Sequence, residues 1–387
     1  MAEEGALVYF FLFLGSPENI LATMLMVILG AGASYDSAQA YRPVLPRGGG
    51  SQNFGISAPP PVDEPWRPPL AKDLFLNRHG VLSEIVTKYP KLTHILPFLR
   101  EPSKGRSVEE VLESLKEEGK NNEEMQRELA SVRFYLCDLL YKISDEWKKR
   151  TDGVTNYAPL IGDILRFNRS NEEVCLITFN YDLLLEHALH TFGFKRRLPE
   201  EHFDSHPILK LFKLHGSVDW SRIVELPEGT RLQPQHLIEQ AHTIKLSNKF
   251  VLANATSPYD MHNFGKPIFP AIAIPVQTKS DDSFECPPTH LTYLGKMLDN
   301  VTKILIIGWQ AREAHFLQML KPKLPLLRQV MVVGANKEDA EKILLYFLKE
   351  IGKQIGNQIL SRNLYTGQGG FTDFIVNQEG QEFFTAV

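Results

Sequence analysis

Asn180 and Asp182 close the run TFNYD at residues 178–182, and His215 opens HGS at residues 215–217. An amide can orient a ribose hydroxyl or a water, a carboxylate can accept from a carboxamide NH2, and a histidine can take a proton near neutral pH. Together the three types suit cleavage of a glycosidic bond to a ribose. Each also has an ordinary structural role open to it: Asn180 as a turn residue, Asp182 as a helix N-cap, His215 as a hydrogen-bonded core histidine. With twelve histidines in the chain, type alone singles out none, and only its place after an apolar run marks His215. His187 and His190 fall on a helical pattern and read as structural.

The second chemical element is MVILGAGAS at residues 26–34. Four apolar residues run straight into Gly30-Ala31-Gly32-Ala33-Ser34, the pattern of a buried parallel strand ending in a tight turn before a helix. Glycines at such a turn permit positive φ and a close backbone approach, and amides at the start of the next helix attract a phosphate. Glycine-rich strand ends also occur as plain tight turns, so this stretch alone admits both readings.

What positions these residues is a series of strand–turn–helix units. Strands are expected at 174–178, 209–214, 303–307 and 329–333, delivering in turn Asn180 and Asp182, His215, Gly308-Trp309, and Gly334-Ala335-Asn336. Ligands of an open parallel α/β sheet bind beyond the carboxyl ends of its strands, and every candidate falls there. The fold class is therefore α/β, a Rossmann-like doubly wound parallel sheet.

Between the first strand and the next lie two departures. Residues 41–69 hold eight prolines and four glycines and read as a flap over the ligand. Residues 70–168 read as a helical insertion forming a second lobe. A helix is expected over 71–76, another over 107–119 with Ser107 and Glu110 as a capping box, a long one over 124–149 and a fourth over 157–167.

With 387 residues, 43% apolar and 23% charged, the chain suits one large domain, or a core domain with a second lobe. A net charge of −4 provides no footprint for direct nucleic-acid binding. Cys137, Cys175 and Cys286 are scattered, which supplies neither a disulfide framework nor a four-cysteine zinc site and points to a reduced, cytoplasmic setting. The apolar run at residues 7–14 is too short to cross a bilayer and follows Glu3 and Glu4, so residues 1–23 read as a hydrophobic arm rather than an export signal or a membrane anchor. Within that arm, Ser16-Pro17-Glu18 has the pattern of a helix start.

In order, GAGAS (30–34), TFNYD (178–182), KLHGS (213–217), IIGW (306–309) and VVGAN (332–336) resemble the sirtuin family, specifically its NAD-consuming branch in prokaryotic antiphage defence. The resemblance implies an NAD+ site without a metal. Gly30, Ala31, Gly32 and Ser34 would lie at the pyrophosphate, Gly308 and Trp309 on the same side, and Asn336 at the adenosine ribose. By the same comparison Asn180 would place the nicotinamide ribose and the attacking water, Asp182 would hold the carboxamide, and His215 would act as base. The activity implied is hydrolysis of NAD+ to nicotinamide and ADP-ribose, latent until triggered. A homo-oligomer and a HerA-type ATPase partner come with it. Deacylating relatives carry a zinc ribbon and a GIP-x-FR segment, neither of which is evident here, although Arg67-Pro68-Pro69-Leu70 is a candidate for related space. The other readings are a sensor of NAD or ADP-ribose without turnover, and an ADP-ribosyltransferase or deacylase.

Overall fold

In the computed structural model, β1 (Met24–Leu29), β2 (Val174–Thr178), β3 (Leu209–Lys213), β7 (Val301–Ile307), β8 (Gln329–Val333) and β9 (Leu364–Thr366) form one sheet in the order β3-β2-β1-β7-β8-β9. Every pairing is parallel. The structure describes residues 24–43, 64–77, 81–102, 105–167, 173–225, 233–253, 266–276, 284–352, 364–366 and 369–385. The apolar arm, with its helix start at Ser16, and most of the Pro/Gly-rich flap lie outside these residues.

Alternate residues of each strand feed opposite faces. Met26 and Ile28 join a core with the helices Pro288–Met297, Ala314–Leu320 and Lys337–Glu350. Val27 and Leu29 join the other, with α6 (Tyr157–Phe167), α7 (Leu184–His190) and Phe371, Phe374 and Phe383 of the C-terminal helices. Both faces being covered is why the strands read as continuous apolar runs. The expected strands at 174–178 and 329–333 are found with those bounds, and that at 303–307 starts two residues earlier. The strand order is that of a Rossmann-like doubly wound sheet, whose switch point falls between β1 and β7.

A further hydrophobic core combines helices with strands. Helices α2 (Val81–Lys88), α3 (Leu92–Arg100), α4 (Val108–Gly119) and α5 (Glu123–Arg150) share a core with β4 (Gly216–Val224), β5 (Leu246–Leu252) and β6 (Ile268–Ile272). These strands form an antiparallel sheet in the order β5-β4-β6, and Phe134 meets Phe269 edge to face at 5.0 Å. Helix α6 packs instead on the main sheet. Helix α4 starts at the expected capping box: Ser107 Oγ accepts from Glu110 N, and Ser107 N donates to Glu110 Oε2. Over 71–76 only a 3-10 turn forms, at Ala71–Asp73, with Leu70 extended before it.

His290 shows how far burial sets proton affinity in this core. It is fully buried, edge-on to Phe203, Phe212 and Trp220, and its Nε2 donates to the Pro199 carbonyl. Its Nδ1 is buried with no hydrogen-bond partner among the described residues. Burial lowers its pKa to about 4. The folded value thus lies below the unfolded one, near 6.5, so its contribution to stability is present above the unfolded value and lost as pH falls toward 4. The expected loss is about 1.4 kcal/mol per pH unit in that window. Denaturant midpoints of the wild type and His290→Gln, measured across it, are expected to converge as pH falls. Parallel profiles would contradict the assignment. Buried Asp36 and Glu186, with pKa values raised by burial, act with the opposite sign in both proteins and cancel in the difference.

Candidate functional site

At the carboxyl ends of the main strands lies a cavity of about 500 Å³, within the range of small-ligand pockets. Gly30 follows β1 and Gly308 follows β7, so the cavity sits at the topological switch point. Leu140 and Ile143 of α5 and Glu109 of α4 also border it.

The glycines are required here by contact between two turns. A Cβ on Gly30 would lie 2.5 Å from the Gly308 carbonyl oxygen, and one on Gly32 would lie 2.8 Å from Gly308 Cα. Gly308 has φ +60, and a Cβ there would sit 2.2 Å from Ala33 N. Neither Gly30 nor Gly32 has positive φ, contrary to the expectation for a phosphate turn. Nor are the turn's amides all free for a phosphate. Gly30 N donates to the Ile307 carbonyl, Gly32 N to that of Gly308 and Ala33 N to that of Gly30. The physical reason is that β1 and β7 are neighbours, so their two turns satisfy each other.

Asn180 ties β2 to this turn. Its Nδ2 donates to the Gly30 carbonyl and to Ser34 Oγ, both at 2.9 Å, and its backbone N donates to Thr178 Oγ1. Ser34 Oγ lies 2.9 Å from the Tyr157 hydroxyl, which also hydrogen bonds the Asn180 side chain. Burial holds the Tyr157 hydroxyl well above its ordinary pKa, so it stays a neutral O–H. On the sequence, Tyr157 was one apolar-stripe residue among several; only its hydroxyl hinted at more.

Asp182 and His215 both border the cavity. Asp182 Oδ1 accepts from Leu184 N at the start of α7, while its carbonyl accepts from Lys213 Nζ. Lys213 is buried completely and also pairs with Glu186 at 2.7 Å. His215 is buried, its ring 4.8 Å from that of Phe179 and 6.2 Å from that of Tyr181. Phe179 stacks in turn on Trp309 at 5.3 Å, and the Trp309 indole N–H donates to Glu313. This ladder through Phe179 had no signal beyond its place at a strand end.

Of the residues expected at the site, Gly30, Ala31, Gly32, Ser34, Asn180, Asp182, His215, Gly308 and Trp309 all border the cavity. Asn336 is not among them: its Oδ1 accepts from Asp339 N and caps the helix Lys337–Glu350. From that strand end Gly334, Ala335 and Asp339 reach the cavity instead. Arg67 does not border it either. Its guanidinium donates to the Tyr35 and Tyr41 carbonyls and lies over the Tyr35 and Trp147 rings, and Pro68, Pro69 and Leu70 form the wall.

The C-terminal segment completes the wall through Gly370 and Phe371. Thr372 N and Oγ1 donate to the two carboxylate oxygens of Asp36, at 2.9 and 2.6 Å, and Gly370 N donates to the Gly334 carbonyl. Burial raises the Asp36 pKa even against the hydrogen bonds from Thr372. Cys137, Cys175 and Cys286 are buried and form no disulfide, and Cys137 Sγ donates to the Val218 carbonyl. His94, Glu124 and Glu128 cluster away from the cavity, where Lys91 and Arg127 pair with Glu124. Among the described residues no helix is long and apolar enough to cross a membrane.

Comparison with known proteins places a SIR2-like domain over residues 174–246, the span that carries Asn180, Asp182 and His215. No curated protein matches the chain. Among solved structures, a triple mutant of Sir2 homologues in complex with 2'-O-acetyl ADP ribose is 12% identical, covers 94% of each chain and has a TM-score of 0.40. A Sir2 homologue mutant in complex with ADP ribose is 12% identical over 94% of each chain, with a TM-score of 0.37. A Sir2 homolog–NAD complex is 13% identical over 92% of this chain and 88% of its own, with a TM-score of 0.35.

Proposed function

We propose that the chain binds NAD+ in this cavity and cleaves its nicotinamide–ribosyl bond with water, giving nicotinamide and ADP-ribose. What supports the reading is the convergence of Asn180, Asp182 and His215 on one cavity at the switch point of a doubly wound sheet. The SIR2-like match over the strands that bear them agrees with it.

In the proposed reaction the C1'–N bond breaks and its electron pair leaves with nicotinamide, a neutral pyridine. The ribosyl cation formed is oxocarbenium-like and is stabilised by neighbouring dipoles and carboxylates. Water attacks C1' and gives up a proton to His215, so that NAD+ and water yield nicotinamide, ADP-ribose and one proton. Asp182, partly buried at the cavity wall, is the acceptor for the carboxamide NH2. Asn180 holds the turn and Ser34 in place from beneath. The resemblance extends the proposal to a latent cytoplasmic enzyme of antiphage defence, released by self-association or by a HerA-type ATPase.

The test is to incubate the protein with NAD+, alone and with its neighbouring gene products, and follow nicotinamide and ADP-ribose by chromatography. Equimolar release of the two is expected. Tight NAD+ binding without release under any condition would overturn hydrolysis in favour of a sensor, a reading favoured by the engagement of both Asn180 amide contacts within the protein. Transfer of the ADP-ribosyl group to protein would replace it with a transferase.

A further inference from the structure

If a dinucleotide occupies the cavity, its diphosphate needs positive partners, and the amides of Gly30, Gly32 and Ala33 are already committed to carbonyls. Apart from His215, the positively chargeable side chains bordering the cavity are Lys72 and Arg312. Both are exposed, and neither has a hydrogen bond or ion pair among the described residues. The acids nearby are mostly engaged: Asp36 by Thr372, Asp182 by Leu184 N, Glu313 by the Trp309 indole and Asp339 by Ala335 N.

The backbone under each cation is pinned while its head stays free. Lys72 sits on the 3-10 turn Ala71–Asp73, just after the Arg67 guanidinium that anchors the segment to the Tyr35 and Tyr41 carbonyls. Arg312 lies between Ala311, fully buried with φ 54, and Glu313, which accepts from Trp309. A non-glycine residue in that conformation persists only where its surroundings over-determine it. A backbone already held in place confines the ordering cost of binding an anion to the two side chains.

We infer that Lys72 and Arg312 together hold the diphosphate of the dinucleotide, in place of the committed amides of Gly30, Gly32 and Ala33. The inference rests on the proposed NAD+ reading of the same cavity. It is tested by measuring binding of ADP-ribose and of adenosine, which lacks phosphate, to the wild type, Lys72→Ala, Arg312→Ala and the double variant. Each single change is expected to weaken ADP-ribose roughly tenfold and the pair about a hundredfold, with adenosine unaffected. Added salt is expected to weaken ADP-ribose on the wild type more than on the double variant. A wild type that binds neither ligand overturns the reading of the cavity itself. A wild type that binds ADP-ribose, with a double variant that binds it equally well or loses adenosine in parallel, overturns only the role of the two cations.

Discussion

His215→Ala is expected to slow nicotinamide release by about 10²-fold or more while leaving ADP-ribose binding close to that of the wild type. The proposed chemistry places the proton of the attacking water on this ring, and the alanine variant has nothing in its place to accept that proton. The ring is held at a strand end between Phe179 and Tyr181, and the His215 carbonyl accepts from Ala273 N, a bond the substitution keeps. The bonds from Asn180 Nδ2 to the Gly30 carbonyl and to Ser34 Oγ do not pass through the His215 ring, so the wall on that side is expected to persist. Single-turnover release and equilibrium binding of ADP-ribose, measured on one preparation, separate the two effects. Undiminished release would remove His215 from the mechanism. Loss of binding in parallel with rate would make it a packing residue.

Gly308→Ala is expected to be the most damaging small change in the switch region, destabilising the fold by about 3 kcal/mol or more. Two costs add. The residue has φ +60, in the left-handed region where a Cβ is strained, and that Cβ would lie 2.2 Å from Ala33 N and 2.5 Å from Gly32 C. Those atoms are backbone and cannot rotate away, so the two turns must separate. Separation stretches the bond from Gly32 N to the Gly308 carbonyl and carries Ser34 away from Asn180. Denaturant unfolding with a site readout is the check: a fall in midpoint together with weaker ADP-ribose binding is expected. An unchanged midpoint would mean that the turns are looser than their contacts imply.

Much of this was legible locally. Residues 174–178 and 329–333 are apolar throughout because both sheet faces are covered, and that pattern needs no partner to be read. Ser107 and Glu110 are three residues apart and bond each other, so the start of α4 is likewise a local fact. The antiparallel strand β4 was not among the expected strands. Ser217, Val218, Asp219, Trp220 and Ser221 alternate polar and apolar, but both faces are buried, with Ser217 bonded to Asp219 and Ser221 to the Ala253 carbonyl. A polar face that is buried looks, in sequence, like a polar face in water.

By itself the sequence determined where chemistry-bearing residues would stand: at the ends of apolar runs, where a parallel sheet leaves its carboxyl edge open. Periodicity and glycine turns are properties of neighbouring residues, and neighbours are what a sequence displays. Only the tertiary structure decided which of those residues share a cavity. It set Asn336 aside as a cap and brought Asp339 in. It joined Ser34 to Tyr157 and Asp36 to Thr372, across 123 and 336 positions of chain. It also engaged the amides of Gly30, Gly32 and Ala33 within the fold, and left Lys72 and Arg312 at the cavity without a hydrogen bond or ion pair among the described residues. Such pairings depend on distance in space, which strand order and packing fix and local pattern does not.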